Sequence, residues 1–141
     1  MNIYFACSIT GGRTFESAYQ AFTHALLEDG YEVPTVHLAG SDVIALEKVV
    51  NPREVYERDV TWIRACDALI AEVSVPSHGV GYEIGFALEQ GKPVLCLAQE
   101  GVLVSKMITG NPHPALQVKF YRDVSEGIAF VHEFLANSIC E

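Results

Sequence analysis

Apolar residues in this chain fall into two alternating patterns: short continuous runs, and stretches that repeat every three to four positions. The first run, "NIYFACSI", is long enough for a buried strand and ends at a turn marked by Gly11 and Gly12. Phe15, Ala18, Phe22, Ala25 and Leu26 then trace one face of a helix that stops near Gly30. "YEVPTVHLA" predicts a second, edge-like strand, because Pro34 cannot donate to a ladder. A polar stretch leads to Pro52, which suits the first turn of a helix reaching about Cys66. "DALIAEV" predicts a third strand, Gly79 to Gly91 a third helix, and "KPVLCLA" a fourth strand. A short helix around Leu103 to Ile108, "LQVKFY" as a fifth strand and a closing helix through Val124, Ile128, Val131 and Leu135 complete the alternation.

Continuous apolar strands separated by helices imply a parallel sheet covered on both faces. The expected fold is therefore α/β: a three-layer sandwich with a five-stranded parallel sheet and right-handed crossovers, flavodoxin-like or Rossmann-like. The length suits one domain over residues 1–141. Such sheets bind ligands beyond the carboxyl ends of their strands. That points to Ser8 to Arg13, Ser74 to Gly81 and the loop after Leu97.

Charge narrows the ligand. A net charge of −9 argues against nonspecific nucleic-acid binding, which needs a basic face. A small phosphorylated ligand stays compatible, since loop amides and helix N-termini hold phosphate without many lysines. No apolar run approaches a membrane span, and "MNIYFAC" opens without a basic segment, so a cytoplasmic protein is expected. Cys7, Cys66, Cys96 and Cys140 are widely separated and the histidines form no H-x-x-x-H pattern. Buried thiols are expected at the first three, and no metal or cofactor is called for.

Glu83 is the anomaly of the sequence. Between Val80 and Leu88 every other residue is apolar, aromatic or glycine. A helix apolar on all sides is a buried helix, so its lone acid should face a cleft or a partner. At a strand-to-helix turn the cleft is the better reading. Asp59 repeats the pattern on a stripe of Val55, Tyr56, Trp62, Ile63 and Cys66, with Glu57 and Arg58 on the solvated side. Two semi-buried carboxylates near one sheet edge is how environment divides an acid from a nucleophile. The run "GVGYEIG" misses the dinucleotide fingerprint, because Ile84 stands where the third glycine belongs. At the first strand's end, Ser8, Gly11, Gly12 and Arg13 could cradle an anion.

Taken together, "IYFACSITGGR", "ERDVTWIRACDALIAEV" and "PSHGVGYEIGFAL" resemble the nucleoside 2-deoxyribosyltransferase superfamily, in particular its 2'-deoxynucleoside 5'-phosphate N-hydrolase branch. The resemblance extends over nearly the whole chain, through "VLVSKMI". It implies Glu83 as the nucleophile at the anomeric carbon, Asp59 as the acid assisting departure of the base, and Tyr4 as the hydroxyl that positions the nucleophile. It implies substrate contacts, the 5'-phosphate pocket among them, from Ser8, Ile9, Thr10, Gly11, Gly12, Arg13, Ser77 and Gly79. By the same resemblance Ser105 and Met107 are further substrate-binding positions, and Ser105 corresponds to a serine supplied by the neighbouring subunit of a homodimer. Thr10 departs from the family, which usually carries a basic residue there.

The implied reaction is hydrolysis of the N-glycosidic bond of a (deoxy)nucleoside 5'-monophosphate through a glycosyl-enzyme ester, with deoxyribose favoured by a tyrosine at position 4. The rival readings are a transferase that passes deoxyribose to a second base, and a non-catalytic nucleotide-binding module.

Overall fold

The computed structural model describes residues 1–12 and 14–139, so the expectations for Arg13 and Cys140 lie outside the described residues. Four strands form the sheet: β1 (Ile3–Ala6), β2 (Ala68–Glu72), β3 (Val94–Gln99) and β4 (Leu116–Tyr121). They pair in parallel in the order β1-β2-β3-β4, with Tyr4 opposite Leu69, Ile70 opposite Leu95 and Cys96 opposite Val118. Among the described residues six α-helices accompany them: α1 (Glu16–Glu28), α2 (Val43–Lys48), α3 (Pro52–Ala65), α4 (His78–Glu89), α5 (Lys106–Thr109) and α6 (Val124–Ile139).

Because strand side chains alternate between faces, the apolar runs supply two cores at once. Ile3, Phe5, Ile70, Leu95 and Leu97 pack against α1 and α6 through Phe22, Leu26, Val131 and Phe134. Tyr4, Leu69, Ala71, Val94 and Cys96 pack against α3 and α4 through Ile63, Val80, Ile84 and Ala87. Each fully buried aliphatic side chain contributes about 1.5–3 kcal/mol, so the middle layer is the rigid part of the molecule. Cys7, Cys66 and Cys96 are buried, as the sequence indicates.

The predicted strand at "YEVPTVHLA" does not form, and the sheet has four strands rather than five. Its place on the outer edge of β1 is taken piecemeal. Ile3 N–H donates to the Glu32 carbonyl at 2.8 Å and Glu32 N–H to that of Met1 at 3.0 Å. Pro34 then removes the next donor, and the Thr35 side chain substitutes for a strand: its Oγ1 accepts from Phe5 N–H at 3.0 Å and donates to the Phe5 carbonyl at 2.8 Å. A single 3-10 turn, Val36–Ala39, follows.

Helix α2 was not legible in the sequence. It buries only Val43, while Ile44 and Leu46 stay exposed, so no apolar stripe of helical period exists to announce it. Helix α4 departs from expectation in the opposite way. Val80, Ile84, Ala87 and Leu88 are buried, but Gly81, Tyr82 and Gly85 face outward, so this apolar helix is covered on one side only.

Candidate active site

Tyr4 points from β1 toward α3 and α4 and is fully buried. Its hydroxyl donates to Glu83 Oε1 at 2.8 Å. Glu83 lies one turn inside α4, whose start is fixed by Ser77: its Oγ accepts from Val80 N–H at 3.3 Å. Burial pushes the Glu83 carboxyl up to about 8, the Tyr4 hydrogen bond opposes that rise, and the nearby negative charge of Asp59 adds to it. Burial and the Glu83 charge together hold the Tyr4 phenol far above its ordinary range, so it acts as a donor throughout the physiological span.

Asp59, on α3, and Glu83 line the same cavity of about 360 Å³ beyond the carboxyl end of β1. Ile9 and Thr10 form one wall, Ser77 and Gly79 another, and Leu38, Glu47 and Val50 close it from the α2 side. A smaller hollow of about 230 Å³ reaches Asp59 and Glu83 from the outer surface between Tyr56 and Tyr82. Burial raises the proton affinity of Asp59, while the guanidinium of Arg58 lowers it. Two carboxyls with raised proton affinity therefore face one half-open pocket, with a buried phenol bound to one of them. Such a set can exchange protons with a ligand and offer a carboxylate to an electrophilic carbon.

The glycine turn is built against the α4 entry loop. A Cβ at Gly11 would lie 2.2 Å from the Pro76 carbonyl oxygen and 2.8 Å from Ser8 Oγ, so only glycine lets the two loops meet. Gly12 has φ of +127°, a conformation unfavourable to side chains. Ser8 itself is buried beneath this turn, whereas Thr10 and Gly11 are exposed. The first-turn amides of α4 point out of the helix end beside them, where an anion would be stabilised. Arg13, assigned to the same turn, lies outside the described residues.

Ser105 and Met107 are not at the Glu83 cavity of this chain. They line a separate, largely apolar cavity of about 600 Å³ on the far side of α4, together with Gly81, Ile84 and Gly85. Ser105 Oγ caps α5 by accepting from Met107 N–H at 3.2 Å, and Met107 is 83% exposed.

Two features escape the sequence pattern. Tyr56, placed on the inward stripe, is half exposed and its hydroxyl lies 3.3 Å from that of Tyr82. Arg58, placed on the solvated side, folds back into the protein between Asp59 and Glu47. The spacing of Arg58 and Trp62, four residues apart on one helix, is the available signal, since their side chains share a face; Glu47 belongs to the unannounced α2.

The family profile described as nucleoside 2-deoxyribosyltransferase matches residues 3–115. The chain belongs to the nucleoside 2-deoxyribosyltransferase family. Within that family it is 41% identical over 141 residues to a Thermofilum pendens protein named "Putative 2'-deoxynucleoside 5'-phosphate N-hydrolase 1", spanning 99% of this chain and 98% of that one. It is 40% identical over 113 residues to the 5-hydroxymethyl-dUMP N-hydrolase of Mus musculus, covering 77% of this chain and 65% of the relative. The solved structure of a Clostridium botulinum CMP N-glycosidase superposes with a TM-score of 0.73 at 21% identity, over 95% of this chain and 99% of that one. This last likeness speaks for the shared three-layer fold. Among the described residues no helix is long and apolar enough to cross a membrane.

Proposed function

We propose that this protein hydrolyses the N-glycosidic bond of (deoxy)nucleoside 5'-monophosphates, releasing the free base and the sugar 5-phosphate. The observation that carries the reading is the Tyr4–Glu83 hydrogen bond of 2.8 Å inside a cavity that Asp59 also lines. The names of the relatives at about 40% identity support a nucleotide substrate and hydrolysis rather than transfer.

In the first step the Glu83 carboxylate attacks the anomeric carbon as the carbon–nitrogen bond breaks. The bonding pair leaves with the base, and protonated Asp59 delivers its proton there, giving a glycosyl ester on Glu83. In the second step the Asp59 carboxylate takes a proton from water as its oxygen attacks the same carbon. The ester bond breaks, Glu83 recovers its negative charge and Asp59 its proton. Tyr4 steadies Glu83 as the carboxylate in both steps. The 5'-phosphate sits at the turn of Ser8 to Gly12 and the α4 N-terminus, with Ser77 and Gly79; the Ser77 hydroxyl accepts from Val80 and keeps its own proton to donate.

In this reading a homodimer completes each site with Ser105 of a second copy. The exposed Gly81 and Gly85 on α4, the nearly bare Leu103 at 90% exposure and the apolar cavity between them support this: they form a face that a second copy would cover.

Incubation with a panel of nucleoside monophosphates and nucleosides, resolved by chromatography, tests the proposal. Monophosphates are expected to yield base and sugar phosphate, with kcat/KM at least about a hundredfold above the matching nucleosides, since a cradle prearranged for an anion is left unpaired without one. Equal cleavage of nucleosides, or sugar transfer to an added base that outpaces hydrolysis, would replace this reading with the transferase. Binding without turnover of any substrate would leave a nucleotide-binding module.

A further inference from the structure

Arg58 makes a contact that ordinary helix geometry does not favour. Neighbouring residues on a helix point about 100° apart and do not face each other. Yet Arg58 Nε donates to Asp59 Oδ1 at 2.8 Å. The side chain holds this bent course because it is fixed at two other points. Its guanidinium lies over the Trp62 ring, 5.0 Å from the centroid, one helical turn along α3. Its Nη1 donates to Glu47 Oε1 at 3.1 Å, across to α2. His37 Nε2 lies 3.7 Å from Glu47 Oε1, and its ring meets Trp62 edge-on.

We propose that Arg58 is the positioning residue of Asp59, with Glu47 as its anchor on α2. The inference rests on the hydrolase reading, in which Asp59 gives and takes the proton at the departing base. Arg58 engages only Oδ1, so Asp59 Oδ2 has no protein partner among the described residues and stays available to substrate. Both Asp59 and Glu47 line the same cavity, so the guanidinium joins its α3 wall to its α2 roof.

A role in stability alone fits poorly. The side chains of Asp59 and Glu47 are each 15% exposed and that of Arg58 is 24% exposed, so the three charges are largely out of water. Arg58 Nη2 is buried with no hydrogen-bond partner among the described residues. A partly satisfied, desolvated cluster adds little or nothing to folding compared with apolar packing, which makes function the better reason for it.

The charges around Asp59 give the cluster a distinctive response. Arg58 and His37 favour its carboxylate, Glu47 disfavours it, and Glu83, bound to Tyr4, faces it across the cavity. Removing Arg58 should therefore raise the Asp59 titration midpoint, and removing the Glu47 charge should lower it. Both changes loosen the same clamp, so both should slow the reaction. Opposite movements of the midpoint with a common loss of rate separate positioning from simple charge tuning.

The test is a set of variants, Arg58→Met, Arg58→Lys and Glu47→Gln, in the full chain. The Asp59 carboxyl is titrated by carbon-13 NMR, its resonance assigned with Asp59→Asn, and steady-state kinetics are measured on a nucleoside monophosphate. Arg58→Met is expected to lower kcat about tenfold or more with KM changed less than about threefold, since misplacing a proton donor costs chemistry more than binding. Arg58→Lys should restore most of the midpoint but only part of kcat, because an ammonium lacks the planar fork. Glu47→Gln should lower kcat by about threefold or more. Wild-type kcat in Arg58→Met, or in Glu47→Gln should Arg58→Met not fold, would overturn the proposal; so would an Asp59 midpoint that moves the same way in both. The titration reads the pairing without turnover, so an inactive wild type would count against the hydrolase reading alone.

Discussion

Tyr4 Oη lies 2.8 Å from Glu83 Oε1, a bond between residues 79 positions apart that ties the first strand to the α4 helix. The hydroxyl favours the ionised form of Glu83 against a burial cost that pushes the carboxyl up to about 8. A nucleophile must be ionised, and kcat/KM reports the free enzyme. For a substrate whose base leaves without a proton from Asp59, the kcat/KM profile is therefore expected to rise with pH through about 8, once substrate ionisation is allowed for. Tyr4→Phe removes the donor, so the limb should move to higher pH, with a loss of about tenfold or more at pH 7. A limb that stays in place in the variant would disconnect Tyr4 from Glu83 ionisation.

Glu83→Gln is nearly isosteric and cannot form an ester. It should reduce turnover by about a thousandfold or more while leaving the circular dichroism spectrum and nucleotide binding close to wild type. Single-turnover assays with radiolabelled substrate give the decisive reading. A loss smaller than tenfold would remove Glu83 from the nucleophile's role.

Asp59→Asn keeps the shape of the side chain and removes its titration. At neutral pH it should lower kcat about a hundredfold for bases that need protonation to leave. Substrates with an already acidic leaving group should be affected far less. If good and poor leaving groups lose rate equally, Asp59 serves the fold or the ester hydrolysis rather than base departure.

The sequence made some of this arrangement legible, for physical reasons. β1, β2 and β3 are almost wholly buried, so their runs are nearly continuous and apolar, whereas β4 at the sheet edge carries Gln117 and Lys119 and is only partly buried; parallel α/β order follows from the alternation of runs and helices. Glu83 stood out because its neighbours are apolar, and Asp59 because it fell on an inward stripe. What could not be read depends on contacts between distant segments. Thr35 replaces a strand by satisfying Phe5 through its side chain, which no periodicity encodes. Arg58 looks like a solvated residue until α2 supplies Glu47. Ser105 sits away from the Glu83 cavity within one chain, and single-sequence patterns carry no symmetry.

Glu72 makes a prediction about stability that is independent of the reaction. It ends β2 fully buried on the α1 and α6 side of the sheet. Oε1 accepts from Ser74 N–H at 2.8 Å, whereas Oε2 and the nearby buried Tyr121 hydroxyl have no hydrogen-bond partner among the described residues. Burial pushes the carboxyl up from 4.5 to about 7. Between those values the native state keeps a proton that the unfolded chain has released, so stability falls as pH rises through the window. The contribution is complete below 4.5 and gone above about 7. Glu72→Gln carries no charge at any pH and supplies an amide donor beside Tyr121. Its melting temperature relative to wild type should therefore climb from pH 4.5 to pH 8, by roughly 3 °C or more. Calorimetry of both proteins at the two pH values measures the difference directly. A melting-temperature gap that is the same at both would mean that Glu72 is ionised in the native state across the whole range, with Oε2 satisfied by buried water.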